Sequence, residues 1–174
     1  LEVLQALRAH DIFCSAGGAN GAAKNGHLEV IHQLRAYGVH CTAAGADEAA
    51  GKGHMDVMRD LRIYGVHCTL RAANLAAQGG HLDVLQGLRA RGIHGNSYVA
   101  DMAAQHGHLE IIRDLRAHEI NCTFRGANFA AEHGYLEVVQ DLRAPHIHCL
   151  SGGADRAAGN GHLHVLRDLR AHGI

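Results

Sequence analysis

No stretch of about 18 apolar residues occurs in this chain, and no basic leader with an apolar core and a small-residue cleavage site precedes its first repeated segment, so neither a membrane span nor a secretion signal is expected. Excess charge of either sign is also missing. Sixteen Lys and Arg against 17 Asp and Glu give a net charge of -1, which removes any general attraction to phosphate backbones or anionic lipid and argues against nucleic-acid and membrane partners. Lysine is scarce beside arginine, and proline occurs once, at Pro145, where it marks a helix stop just before it. The chain has neither a CxxC nor an HExxH motif, the spacings that would bring ligands onto one metal.

What the chain does have is a period. GHLEVIHQLRAYGVHCT at Gly26 returns as GHMDVMRDLRIYGVHCT at Gly53, and the same glycine recurs at Gly80, Gly107, Gly134 and Gly161, every 27 residues. A fixed period of this length with one hydrophobic pattern per copy is the mark of a solenoid whose rows bury their faces only against neighbouring rows. Residues 1–174 read as one continuous array of about six and a half rows without room for a linker; Leu1 aligns with Leu28 and Ile174 with Ile147, so both ends fall inside a row.

The second half of each row reads as a helix. Leu28, Val30, Ile31 and Leu34, and likewise Leu109, Ile111, Ile112 and Leu115, have the three- and four-residue spacing of one buried stripe. Acidic residues occupy its first turn (Glu2, Glu29, Asp56, Asp83, Glu110, Glu137) and an arginine its last turn, from Arg8 to Arg170, both complementing the helix dipole. Gly38, Gly65, Gly92 and Gly173 then end the helix in the left-handed conformation, followed by Val or Ile. Asp11, Glu119 and His146 depart from that rule, and their turns are expected to be more strained or differently closed.

The first half reads as a second, alanine-faced helix. Ala46, Ala49 and Ala50, with counterparts such as Ala127, Ala130 and Ala131, form a close-packing face, and Thr42, Thr69 and Thr123 stand at its N-cap. Between the alanines lies a column that is always Asn or Asp: Asn20, Asp47, Asn74, Asp101, Asn128, Asp155. Such residues are poor choices for a helix interior. The column is expected to bond backbone groups in the adjacent row's loop.

The segments AAKNGHLEV from Ala22 and AAEHGYLEV from Ala130, each followed by a leucine and a turn, resemble the ankyrin repeat family across all six rows. The ankyrin unit is about 33 residues long, and the missing residues fall after the second helix, where that family has a β-hairpin finger. Its Thr-Pro-Leu-His tetrapeptide is also absent, with the Asn/Asp column (Asp47, Asn74) standing where its histidine would be. The resemblance implies an all-α solenoid of stacked helix-turn-helix units used for protein binding, with the inner face formed largely by the first helices.

Columns that vary while the rest stays fixed are the ones packing does not explain. Nine, five and two positions before each GH glycine, the central rows carry Arg71, Leu75 and Gln78; Tyr98, Met102 and Gln105; and Arg125, Phe129 and Glu132, with Leu70 and Phe124 beside them. The outer rows carry mostly small residues there, such as Gly17, Gly21, Ala44, Gly51, Gly152 and Gly159. Offsets of four and seven set each trio on one side of the first helix, and aromatic, Met and Arg side chains are the types enriched at interface centres. The expected function is a non-enzymatic scaffold binding a protein through this face. Gap filling in a flatter stack, or packing against other copies, is the plainer alternative for the same residues. An alternative function is a structural subunit of a filament or assembly, formed head to tail or laterally, because Leu1, Val3 and Leu4 are as apolar as any interior row. The chain would also read this way as a piece of a longer array.

Seventeen histidines and five cysteines raise a metal hypothesis that their spacing answers. His27, His54, His81, His108 and His162 precede the second helix, and His40, His67, His94 and His148 follow it, roughly 15 Å apart along a ten-residue helix. Cys14, Cys41, Cys68, Cys122 and Cys149 form a ladder interrupted at Gly95; stacked helices about 8–10 Å apart hold such neighbours beyond disulfide reach. Turn-capping histidines and half-buried free thiols are expected, with no metal and no cofactor, in a reducing, intracellular and cytoplasmic setting. Residues copied in every row are placed by packing, whereas an active site is single, so no enzyme activity and no small-molecule substrate are expected. Imidazoles titrate near pH 6.5, and below about pH 5.5 the array should loosen by self-repulsion.

Overall fold

Glycine punctuation and alternating apolar stripes leave each row long enough for two short helices. The computed structural model describes residues 13–173; the expectations attached to Leu1, Glu2, Val3, Leu4, Arg8, Asp11 and Ile174 lie outside the described residues. Among the described residues every regular element is an α-helix. The chain divides into two compact bodies, one up to Ala76 and one from Ala77.

The first body contains α1 (Ala16–Lys24), α2 (Leu28–Ala36), α3 (Ala43–Gly51), α4 (Met55–Ile63) and the greater part of α5 (Leu70–Gly79). Here α1 packs on its hairpin partner α2 and on α3, and α3 packs on α4. The second body holds α6 (Leu82–Arg89), α7 (Ser97–Gln105), α8 (Leu109–Ala117), α9 (Phe124–Glu132), α10 (Leu136–Arg143), α11 (Ser151–Gly159) and α12 (Leu163–Ala171). In it, α7, α9 and α11 pack successively as one layer and α8, α10 and α12 as another, with each row's two helices joined as a hairpin. This is the stacked helix-turn-helix arrangement that the period implies.

Both helices of a row stop by the same device. Gly38 (φ 78°) donates its N–H to Arg35 O and Val39 donates to Leu34 O, and Gly26 (φ 74°) and His27 repeat the pattern on Ala23 O and Ala22 O. A left-handed residue that closes the last turn this way suits glycine, which has no Cβ to clash. Glu119 (φ 65°) and His146 (φ 63°) adopt the same conformation without being glycine. Their turns close through the same bonds, Ile120 N–H to Leu115 O and Ile147 N–H to Leu142 O, so of the two expected outcomes the structure shows strain. Helix α10 ends at Arg143, two residues before Pro145.

The core follows the stripes. Ala46, Ala49 and Ala50 are buried, as are Ala127, Ala130 and Ala131, and these small faces let successive first helices approach closely. Ile111, Ile112 and Leu115 are buried from the other layer while Leu109 is only partly covered; each fully buried aliphatic side chain contributes about 1.5–3 kcal/mol.

Asn20, Asp47, Asp101 and Asn128 of the Asn/Asp column reach forward into the next row. Thr69 donates its N–H to Asp47 Oδ1 (2.7 Å) and its hydroxyl to Asp47 Oδ2 (2.6 Å), and Thr123 does the same to Asp101 at 2.7 Å each. Because the hydroxyl proton goes to the carboxylate, the oxygen is free to accept from the helix, and Arg71 N–H and Arg125 N–H donate to it. Asn20 differs in one way that matters: its amide accepts Thr42 N–H and donates Nδ2–H to Thr42 Oγ1. Thr42 therefore stands at the N-cap without making a side-chain cap bond, a correction to the expectation for all three threonines. Asn96 caps α7 by accepting from Tyr98 N–H and Val99 N–H.

Candidate protein-binding face

The variable columns lie on the first helices, opposite the alanine face that fixes those helices in the stack. In the second body, Tyr98, Met102 and Gln105 project from α7, and Phe124, Arg125, Phe129 and Glu132 from the adjacent α9. Tyr98 and Phe124, at the starts of the two helices, are 45% and 53% exposed; Arg125 is exposed too, while Met102, Gln105, Phe129 and Glu132 are half-buried. Gln78 is exposed at the start of this body, and Leu70, Arg71 and Leu75 belong to the first body, the first two exposed and Leu75 half-buried.

Charges on this face are arranged in rows. In the first body Glu48 is held between Lys24 (3.4 Å) and Arg71 (2.6 Å), and the hydrogen bond from Arg71, then the contact with Lys24, keep its carboxyl below the usual range against the opposing effect of burial. In the second body Arg156 pairs with Glu132 at 2.8 Å and Asn160 Nδ2 donates to the Glu132 carbonyl. Arg125 instead sets its guanidinium 6.0 Å from the centre of the Phe129 ring, within the range of a cation–π contact.

A second ladder joins the second helices. Arg35 pairs with Asp60, Arg89 with Asp114 at 2.7 Å, Arg116 with Asp141 and Arg143 with Asp168. Each aspartate takes a second bond from the residue three places before that arginine: His32, Gln86, Arg113 or Gln140. Burial pushes the Asp60, Asp141 and Asp168 carboxyls up, and the bonds they accept outweigh it and hold them low; at Asp114 the Arg89 bond is itself the largest influence. Arg35, Arg89, Arg116 and Arg143 thus do more than complement their own helix dipoles: each ties its row to the next.

The GH histidines also act between rows. His54, His108 and His162 stand at N-cap positions but make no cap bond with their side chains, which corrects the turn-capping expectation. Their rings lie against the preceding row's left-handed glycine: a Cβ on Gly26 would sit 2.8 Å from His54 Cε1, one on Gly80 2.7 Å from His108 Cε1, and one on Gly134 2.6 Å from His162 Nδ1. Tyr135 replaces histidine and covers Gly107 in the same way. His106 and His133 donate Nδ1–H to the carbonyls of Met102 and Phe129.

No disulfide forms among the described residues; Cys41, Cys122 and Cys149 are buried and Cys14 and Cys68 half-buried. Cys41 donates to Ala19 O and Cys68 to Ala46 O. Burial raises Cys41 and Cys149 and pushes Cys122 up to about 12, which keeps these sulfurs protonated and poorly nucleophilic. Among the described residues no three His, Cys, Asp or Glu side chains gather as a metal site would need. A cavity of about 100 Å³ lies beside Arg35, Cys41 and Tyr64, and an open hollow of about 360 Å³ beside Leu109, Tyr135 and Leu136; neither is lined by the variable columns, which form a surface.

The human ASB11 ankyrin repeat domain aligns with this chain at a TM-score of 0.66 and 18% identity, over 90% of this chain and 83% of its own length. At that identity the likeness is one of fold, and the class it defines is the all-α solenoid of ankyrin-type helical hairpins. Two structures of the pentatricopeptide repeat protein PPR10 in complex with an 18-nt psaJ RNA element align at 0.49 and 14% identity, over 90% of this chain and 28% of theirs, too weakly to carry an argument. No family model and no curated protein sequence matches the chain. No helix among the described residues is long and apolar enough to cross a membrane.

Proposed function

We propose that the chain is a non-enzymatic protein-binding scaffold whose contact surface is the first-helix face of its central rows. The observation that carries this is the pair Tyr98 and Phe124, large side chains about half exposed on neighbouring helices of one body, where three outer rows fold with Ala16, Gly17, Ala43, Ala44, Ser151 and Gly152. Packing does not demand them, and exposed aromatic clusters of this kind mark interaction sites. Met102 and Phe129 form the half-buried floor beneath them, and Gln78, Gln105 and Glu132 the polar margin. In the first body Leu70, Arg71 and Leu75 occupy the corresponding columns, and the reading includes them. The scaffold works without chemistry of its own: burial raises the Cys41, Cys122 and Cys149 thiols, and the His54, His108 and His162 rings rest on the preceding row's glycine. Cysteines that form no disulfide suit a reducing compartment, where we place the chain.

The test uses exposed positions so that folding is spared. Tyr98→Ala with Phe124→Ala should remove the captured protein from an affinity purification, whereas Ile63→Ala with Leu163→Ala, both exposed on second helices, should not. Helical circular dichroism should match the wild type in both. Equal capture by the two double variants would reject the reading.

A further inference from the structure

The charges on the first-helix face do not balance evenly. Lys24 and Arg71 share Glu48, and Arg156 is matched by Glu132. Among the described residues Arg125 has no carboxylate partner; its guanidinium has only the Phe129 ring. The other polar groups around it are already engaged: Asp101 accepts both donors of Thr123, and the His106 and His133 rings bond the carbonyls of Met102 and Phe129. Asp155, on α11, occupies the column whose members Asp47 and Asp101 point forward into the next row rather than across this face. One cation thus stands without a carboxylate on the first-helix face that also carries Tyr98, Met102, Phe124 and Phe129.

Resting on the binding face proposed above, we infer its partner's chemistry: a peptide segment that places an Asp or Glu side chain on Arg125 and an adjacent apolar side chain on the Tyr98 and Phe124 surface. A guanidinium is weakly hydrated for a cation and presents a planar fork, which a carboxylate meets with two parallel bonds. The neighbouring rings exclude water around that pair and strengthen it. Those same rings would be left uncovered by a bare anion, so the apolar neighbour in the segment is part of the requirement.

The probe is a random dodecapeptide library displayed as fusions, so that no free C-terminal carboxylate is present, selected on the full chain. Enriched peptides should carry Asp or Glu next to an aromatic or aliphatic residue and should lose binding to Tyr98→Ala with Phe124→Ala. Arg125→Ala should weaken them about tenfold or more, the value of one charge-assisted bond, and Arg125→Glu should shift selection toward Lys or Arg; Arg125 is exposed, so both variants should keep wild-type helical circular dichroism. Peptides that need Tyr98 and Phe124 but show no acidic preference and ignore Arg125 would overturn this inference and leave the face standing. Peptides that need none of these residues, or the absence of any binder, would overturn the face itself and this inference with it.

Discussion

Asp101 and Asn74 occupy the same column in different circumstances. Asp101 is buried and accepts two donors from Thr123, whereas the buried Oδ1 of Asn74 has no hydrogen-bond partner. Removing Asp101 strands an N–H and a hydroxyl, so Asp101→Ala should cost about 2–3 kcal/mol, while Asn74→Ala, which deletes an unsatisfied acceptor, should cost no more than about 0.5 kcal/mol. Urea denaturation of the two variants checks this, and equal losses would contradict it. The left-handed Glu119 and His146 give the opposite sign: Glu119→Gly and His146→Gly should each stabilise by about 0.5–1 kcal/mol, since an L side chain there costs about 1–2 kcal/mol and glycine's extra unfolded-state freedom returns part of it. A fall in the urea midpoint of either variant would count against the strain. Both positions were legible in the sequence as departures from a glycine column. The missing cap bond of Thr42 was not, because it depends on whether the residue one row earlier is an acid or an amide.

At the scale of the helix and its turns, reading along a row finds elements but misses what joins them. The arginine of each last turn looked complete as a dipole complement, yet its partner is an aspartate 25 residues on, Asp60 for Arg35 and Asp141 for Arg116. The signal was present as the column Asp60, Asp114, Asp141 and Asp168, which yields to Ala6, Gln33 and Gly87 in the other three rows, and could be found only by comparing different positions in successive rows. The GH pair is similar: its glycine is both a left-handed helix stop and the bare surface on which the next row's ring rests. Gly107→Ala should therefore cost about 2 kcal/mol or more, combining backbone strain with a Cβ 2.7 Å from Tyr135 Cδ1. A loss confined to the strain alone, restored by no change at Tyr135, would mean that the ring gives way freely.

At the scale of the whole molecule, acid should weaken the fold in two stages. Falling pH first charges imidazoles, near pH 6.5 in general, and adds like-charge repulsion to an almost neutral chain. The Asp60, Asp114, Asp141 and Asp168 carboxyls have folded-state values below their ordinary ones, so their stabilisation is complete above the unfolded value, about pH 4, and is lost as pH falls through the folded values. The melting temperature should decline modestly between pH 7 and 5.5, less so in high salt, and again below about pH 4. A flat profile from pH 8 to 5 would refute the first stage. The hairpin stack was legible from the period because rows that pack alike must repeat alike; a binding surface is free of that constraint, so only its residue types could be read. Photo-crosslinking addresses that surface most directly, with p-benzoylphenylalanine placed singly at Tyr98, Phe124 and Ile63 and adducts with the captured partner counted. Adducts from Tyr98 and Phe124 and none from Ile63 are predicted; adducts from Ile63 alone, or equally from all three, would contradict the first-helix face as the place where this protein meets another.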